Sequence, residues 1–400
     1  MRFAVPVTRG VVLAVASAAI LGGTLLPAEA QSGRKPPEKA RKERPDGQAP
    51  KPGEPQEPEA PPVKPLTKEE LEGAITLSTA VVNVETVVYE KKSGGILQNM
   101  KQANFEVYED GVKQEITNFA PTQGPMTLVV ILEYSRRIDN RWIRKEEVIE
   151  PLYVLGRSFV KPDDNVAIVA FDTRPFVVQD FTGDVKLLNR SVDFLLRNNP
   201  AFSESNIYDA LSFVLQGGKG DGIDLRNGQV SRNVPYGGLK DVEGRSAVIL
   251  VSLGYDTFSK LNYDEIRKVI GSTGVPIYTI GVGNLFHKIY ENRMGPEERM
   301  SWQQAFLALK TFSRMSGGKY FPVTFSGELP TTIESITNLM RSQYSLGYSP
   351  SNTRREGKTR KIEVKIDIDG DGIYGEKEEE KAYAVQHRET YIEPNDAPRK

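Results

Sequence analysis

Between residues 126 and 341 strand-like and helix-like segments alternate, and this rhythm constrains the fold more than any other feature of the chain. Residues 127–132, 165–171, 175–180, 247–252, 276–282 and 319–323 read as strands. Residues 144–160, 185–197, 207–216, 263–271, 302–315 and 330–341 carry the helical period. Near-continuous apolar strands between amphipathic helices imply an α/β fold, a doubly wound and mostly parallel sheet covered on both faces. The polar, glycine-rich stretch at 217–245 reads as a long surface loop. Open sheets of this kind place their ligands at the carboxyl ends of the strands. Three segments fall there: Glu133-Tyr134-Ser135-Arg136-Arg137, Ser205-Asn206-Ile207-Tyr208-Asp209 and Leu253-Gly254-Tyr255-Asp256.

The flanks are different in character. Residues 75–122 are rich in β-branched residues, Ser93-Gly94-Gly95 can turn the chain, and Asp110-Gly111 after Phe105-Glu106-Val107-Tyr108-Glu109 is a strong hairpin signal. A β pattern returns at 342–394, at 344–348, 361–367 and 382–387. Both flanks are small for independent cores, so the C-terminal strands are expected to pack back onto the first ones as an added β module beside a central domain at 125–341.

The N-terminal residues bear on compartment. Arg2 and Arg9 precede an apolar run, and Ala28-Glu29-Ala30 follows with small residues where a signal peptidase reads them, so 1–30 is expected to be a signal peptide and the protein exported. The destination left open is periplasm, cell envelope or secretion. The apolar run is shorter than the ~20 residues of a spanning helix, so an uncleaved anchor is the lesser alternative for membrane attachment. Residues 31–70 form a proline-rich linker, with ten of the 26 prolines between Pro36 and Pro65, and should stay extended and disordered. Lys plus Arg number 52 against 53 Asp plus Glu, a balance that offers nothing to nucleic acid. The absence of cysteine excludes disulfides, thiolate metal sites and a cysteine nucleophile.

The strand ending in Glu133, Phe171-Asp172-Thr173-Arg174, Ile207-Tyr208-Asp209-Ala210-Leu211 and Val251-Ser252-Leu253-Gly254-Tyr255-Asp256 together resemble a von Willebrand factor type A (VWFA) domain. Phe105-Glu106-Val107-Tyr108-Glu109-Asp110-Gly111 before it and Ser342-Gln343-Tyr344-Ser345-Leu346-Gly347-Tyr348 after it are similar to exported VWFA-related proteins of the acidobacterial type. The resemblance implies a metal-ion-dependent adhesion site (MIDAS), in which hydroxyl and carboxylate oxygens from three loops hold a divalent cation. On that pattern Glu133 stands at the first Asp, Ser135 at the first Ser, Arg137 at the second Ser, Ser205 at the Thr and Leu253 at the last Asp. Arg137 replaces a ligand oxygen with a fixed charge and Leu253 removes a carboxylate, so magnesium is not expected at this degenerate site. The expectation is instead that Arg137 pairs with Glu133. Ser205 and Asn206 also suit a helix cap. Tyr134 beside the two arginines reads either as an exposed binding aromatic or as a packed one.

A second cation signal lies at Asp367-Ile368-Asp369-Gly370-Asp371-Gly372, followed by Glu378. The spacing is that of a calcium loop: Asp367, Asp369 and Asp371 converge, Gly372 turns, Ile373 offers its carbonyl and Glu378 closes the shell. The strand-like segment before it places the loop in a β hairpin, not an EF-hand. The alternative is a solvated acidic turn within a run that includes Glu376 and Glu380.

No enzyme is expected. Only two histidines exist, His287 in a loop and His387 at a surface strand, and no nucleophile elbow or phosphate loop is present. Trp142 and Trp302, each at the start of a helical segment, read as packing residues. The expected function is adhesion or scaffolding, with Glu133, Tyr134, Ser135, Arg137, Ser205 and Asp256 facing an unknown protein ligand. The alternative is a structural envelope protein ordered by calcium, with the VWFA-like domain as a spacer.

Overall fold

The computed structural model describes residues 81–120, 124–139, 143–239, 242 and 244–394. The expected signal peptide, the linker and Trp142 lie outside the described residues. The first strands are β1 (Val82–Glu90), β2 (Phe105–Glu109), β3 (Val112–Gln114) and β4 (Ile116–Ala120). The central domain begins with β5 (Met126–Glu133), α1 (Lys145–Ile149), β6 (Asn165–Phe171), β7 (Pro175–Thr182), α2 (Val185–Arg197) and α3 (Ile207–Gln216). It continues through β8 (Gly218–Ile223), β9 (Val230–Tyr236), β10 (Arg245–Ser252), α4 (Tyr263–Thr273), β11 (Ile277–Gly281) and α5 (Asn284–Tyr290). It ends with α6 (Pro296–Ser316), β12 (Tyr320–Pro322) and α7 (Leu329–Arg341). The chain then forms β13 (Tyr344–Tyr348), β14 (Thr359–Ile366), α8 (Lys377–Ala382), β15 (Tyr383–Gln386) and β16 (Thr390–Ile392).

The central sheet has the order β12-β11-β10-β5-β6-β7-β8-β9. It is parallel from β12 to β6, and β7 runs antiparallel to β6. Side-chain alternation along a strand sends successive residues to opposite faces. Leu128, Val130 and Leu132 accordingly join Ile168, Ile249, Leu188 and Ile336 in one core, whereas Val129 and Ile131 join Val169, Leu250, Ile270 and Phe312 in another. Helices α1, α2 and α7 cover the first face and α3, α4 and the C-terminal half of α6 the second. The fold is therefore the doubly wound α/β class, with the added β module.

That module is two four-stranded sheets, β15-β1-β13-β4 and β16-β14-β2-β3. Both contribute to one core, in which Val84 and Leu346 from the first sheet meet Val107 and Val364 from the second. The strands before and after the central domain are thus interleaved: β1 pairs with β13 and β15, and β2 with β14. Asp110 and Gly111 turn β2 into β3 with φ of 48° and 83°, the left-handed pair a two-residue hairpin requires. Buried Glu109 accepts from Arg360 and from the hydroxyls of Tyr348 (2.8 Å) and Tyr391 (2.9 Å), which links β2, β13, β14 and β16.

Several local expectations fail for physical reasons. The expected loop at 217–245 contains the hairpin β8–β9, which extends the sheet. Its strand signal is hidden by glycine, and Gly220 is needed there because a Cβ would sit 2.6 Å from the Phe213 ring. The expected helix at 144–160 breaks at Pro151 into α1, a 3₁₀ turn and a π turn. Helix α6 starts at Pro296, so Trp302 lies inside it and not at its start, although it is buried as expected. His287 sits on α5, not in a loop. The acidic loop does not join a hairpin: β14 pairs with β2 and β16, and β15, reached through α8, pairs with β1.

Candidate functional site

The three loops do meet at the carboxyl edge of the central sheet. The N–H of Arg136 donates to the carbonyl of Phe202 (2.8 Å), and that of Ser205 donates to the Thr257 hydroxyl (2.9 Å). The Ser205 carbonyl accepts from the N–H groups of Thr257 (2.8 Å) and Phe258 (3.0 Å). A fourth loop joins them, because Asn206 donates from its backbone to Asp172 and from its side chain to the Thr173 carbonyl.

Glu133 closes β5 and is fully buried among these loops. One carboxylate oxygen accepts from the Ser135 hydroxyl (2.8 Å), the other from the Ser252 hydroxyl (2.7 Å) and the Leu253 N–H (2.9 Å). Burial raises its pKa, and the hydrogen bonds from Ser252, Leu253 and Ser135, together with the charge of Arg137, offset part of that rise. The expected Glu133–Arg137 bond does not form. Arg137 donates through Nε to the Ser203 carbonyl (2.7 Å) and its guanidinium lies 5.6 Å from the Tyr255 ring centroid. A magnesium ion needs oxygens directed at it. Here Glu133 gives both oxygens to protein donors, Ser135 accepts the Arg137 N–H, and Leu253 contributes a buried side chain. The Glu133 and Ser135 oxygens are thus engaged within the protein. Ser205 is buried with its hydroxyl unpartnered among the described residues, and the Asn206 side chain makes no cap bond, so neither works as the helix cap.

Tyr134 is a correction. It is buried, packs edge-on against Phe176, and donates its hydroxyl to the Leu195 carbonyl (2.8 Å). At this edge the exposed aromatics are Phe202 (50% exposed) and Phe258 (56%), on the loops that join at Ser205. Their signal was a lone phenylalanine within an otherwise polar loop, in Ala201-Phe202-Ser203-Glu204 and Asp256-Thr257-Phe258-Ser259. Arg136 and Arg137 are exposed beside them. Next to this group opens a cleft of about 860 Å³ lined by Arg137, Leu253, Tyr255, Asp256, Phe286 and Trp302. Asp256 is half-buried on its wall, and burial raises its carboxyl pKa against the pull of the Ser259 hydroxyl and the Tyr208 N–H.

At the acidic loop Asp367, Asp369 and Asp371 offer carboxylate oxygens that all lie within 4.8 Å of one another. Ile373 follows in the same loop and donates its N–H to Asp371 (2.8 Å). Glu378 is a second correction: its side chain is 83% exposed on α8, near Lys381. Its neighbour Glu379 reaches the loop instead and accepts the Ile368 N–H (2.6 Å).

The histidines stand in separate settings. His287 packs against Trp302 and Phe306, and His387 is half-buried with Nδ1 at the Arg388 carbonyl. Among the described residues no helix is long and apolar enough to cross a membrane.

No protein-family model matches the sequence, and no curated protein matches it. Among solved structures the chain is similar to an aerotolerance-related membrane protein from Bacteroides fragilis, at 16% identity over 53% of this chain and 98% of that one, TM-score 0.35. It is similar to the vWF domain of the type V pili tip protein Mfa5 from Porphyromonas gingivalis, at 13% identity over 55% and 95%, TM-score 0.37. It is also similar to proximal thread matrix protein 1 from the mussel byssus, a structure with a zinc-occupied MIDAS motif, at 14% identity over 56% of this chain and 48% of that one, TM-score 0.39. The strand order and the two-sided helical cover establish the fold without these likenesses.

Proposed function

We propose that the loops at the carboxyl edge of the central sheet form a protein-binding surface that works without a cation, in an exported adhesion or scaffold protein. The observation that carries this is the juxtaposition of Phe202, Phe258, Arg136 and Arg137, all exposed, with the adjoining aromatic cleft. Aromatic and arginine side chains around a concave site are the composition of interface hot spots, whose centres dehydrate on binding. Beneath them Glu133 acts as an internal brace, its two oxygens holding the first loop to the third through Ser135, Ser252 and Leu253. The surface is therefore preorganised by hydrogen bonds where a cation would otherwise join the loops. Export rests on the N-terminal sequence pattern, and the partner is a protein with no nucleic-acid component.

A photo-crosslinking residue placed at Phe202 or Phe258 should yield the same discrete protein adduct in cells that make the chain. The same residue at Val112, exposed on β3, should yield none. Adducts of equal yield at all positions, or none at Phe202 and Phe258, would contradict the proposal.

A further inference from the structure

The cleft of about 860 Å³ lies between the third loop, residues 253–257, and the N-terminal half of α6, residues 298–308. Its two walls are fixed against each other. Gly254 turns with φ of 86° so close to α6 that a Cβ would sit 2.6 Å from the Ala305 carbonyl. Tyr255 meets Trp302 edge-on with ring centroids 5.1 Å apart, and Trp302 lies 5.8 Å from Phe286. A preformed concave site of this volume, mostly apolar and with few polar groups, suits a ligand group rather than bulk water. Thr257, which lines it, precedes the exposed Phe258.

The charged residues of the lining are Asp256, Glu298 and Arg137, a net negative set. Arg137 is engaged within the protein, through the Ser203 carbonyl (2.7 Å) and the Tyr255 ring. Asp256 and Glu298 form no ion pair among the described residues. Asp256 accepts only neutral donors, the Ser259 hydroxyl (2.5 Å) and the Tyr208 N–H (3.5 Å). A protein that docks over Phe202 and Phe258 covers the adjoining cleft and takes water from both carboxylates. Left unpaired there, they would oppose docking, because burying a carboxylate without a counter-charge is costly. Binding at this surface consequently favours a partner that brings a positive group.

We propose that the cleft receives an arginine side chain of the partner protein, held by the Asp256 and Glu298 carboxylates and by the aromatic wall of Tyr255 and Phe286. This rests on the proposed binding surface and names the chemistry of its partner. Arginine fits better than lysine, since a planar guanidinium can pair with a carboxylate through two N–H groups and lie on an aromatic face at the same time. The Arg137 guanidinium, 5.6 Å from the Tyr255 centroid, shows that this ring accepts such a group. An acidic side chain would be repelled by Asp256 and Glu298.

With the crosslinking residue at Phe202, Asp256→Asn and Glu298→Arg should each lower the yield of the protein adduct at least about tenfold, as expected when a charge pair covered by an interface loses one member. The blocked tripeptide acetyl-Gly-Arg-Gly-amide at millimolar concentration should compete with adduct formation. In a Trp142→Phe chain, where Trp302 is the sole tryptophan, it should also change the fluorescence saturably; acetyl-Gly-Glu-Gly-amide should do neither. An adduct of unchanged yield in both variants overturns the arginine assignment and leaves the binding surface standing. Absence of an adduct from the wild type overturns the binding surface, and the peptide titration then judges the cleft alone. No saturable signal from the arginine peptide, or an equal one from the glutamate peptide, overturns it. If Asp256→Asn does not fold, Glu298→Arg, on an exposed residue, still decides.

Discussion

Glu133 shows how one residue can keep a site's geometry while changing its chemistry. Its carboxylate joins the first and third loops through three donors, so truncation to Ala strands the Ser252 hydroxyl and the Leu253 N–H in the interior. That should cost about 1–3 kcal/mol in chemical unfolding. Gln should be much milder, because its oxygen can face Ser252 and Leu253 while its amide donates to Ser135, whose hydroxyl can accept. The pH dependence follows from the raised pKa. A carboxyl whose folded value exceeds the ordinary 4.5 favours the fold most below that value, and the contribution fades as pH rises above it. The Tm of Glu133→Gln minus that of wild type should therefore grow from pH 4.5 upward. A flat or falling difference would contradict the assignment. Of the two readings of Tyr134, the packed one was legible. Leu128, Val130 and Leu132 face one core, and the same alternation carries Tyr134 to that side.

At the scale of elements, the strands buried on both faces were readable because β-branched and aliphatic residues fill them without interruption. Val185–Arg197 and Ile207–Gln216 were readable as helices from their apolar period. The hairpin β8–β9 was not, since Gly218, Gly220 and Gly222 remove the side chains on which a strand pattern depends. Gly220 makes room for Phe213, which stacks on Tyr236 with ring centroids 4.8 Å apart. Gly220→Val should overpack Phe213 and destabilise the fold by about 1–3 kcal/mol in urea unfolding; an unchanged midpoint would show that the edge hairpin yields freely. In the acidic loop the convergence of Asp367, Asp369 and Asp371 was legible from spacing, but which of Glu378 and Glu379 touches the loop was not. That choice depends on where α8 begins, which residue counting does not encode.

For the whole molecule, the ends of the central domain are tied by a buried ion pair. Asp164 accepts from the N–H groups of Met126 (2.9 Å) and Lys161 (2.8 Å) and pairs with Arg341 at the end of α7. Burial alone would raise the Asp164 pKa; Arg341 and the two N–H groups outweigh it and hold the carboxyl below its ordinary range. This contribution is present above the unfolded pKa and is lost as pH falls through the lower folded value. Arg341→Met should cost about 3–5 kcal/mol near neutral pH, because it leaves Asp164 charged and buried. The loss should shrink on acidification. The interleaving of β1 with β13 and β15 makes the module depend on both flanks, which small cores at each flank suggested and the pairing shows.

The central claim is that the loop surface binds a protein partner without a cation. Its most direct test is the yield of the crosslinked adduct from Phe258, measured in calcium-containing buffer with and without magnesium, in wild type and in Glu133→Gln. The account predicts the same adduct at the same yield in all of these conditions, and its loss in Arg137→Ala. An adduct that requires magnesium and disappears in Glu133→Gln would contradict it.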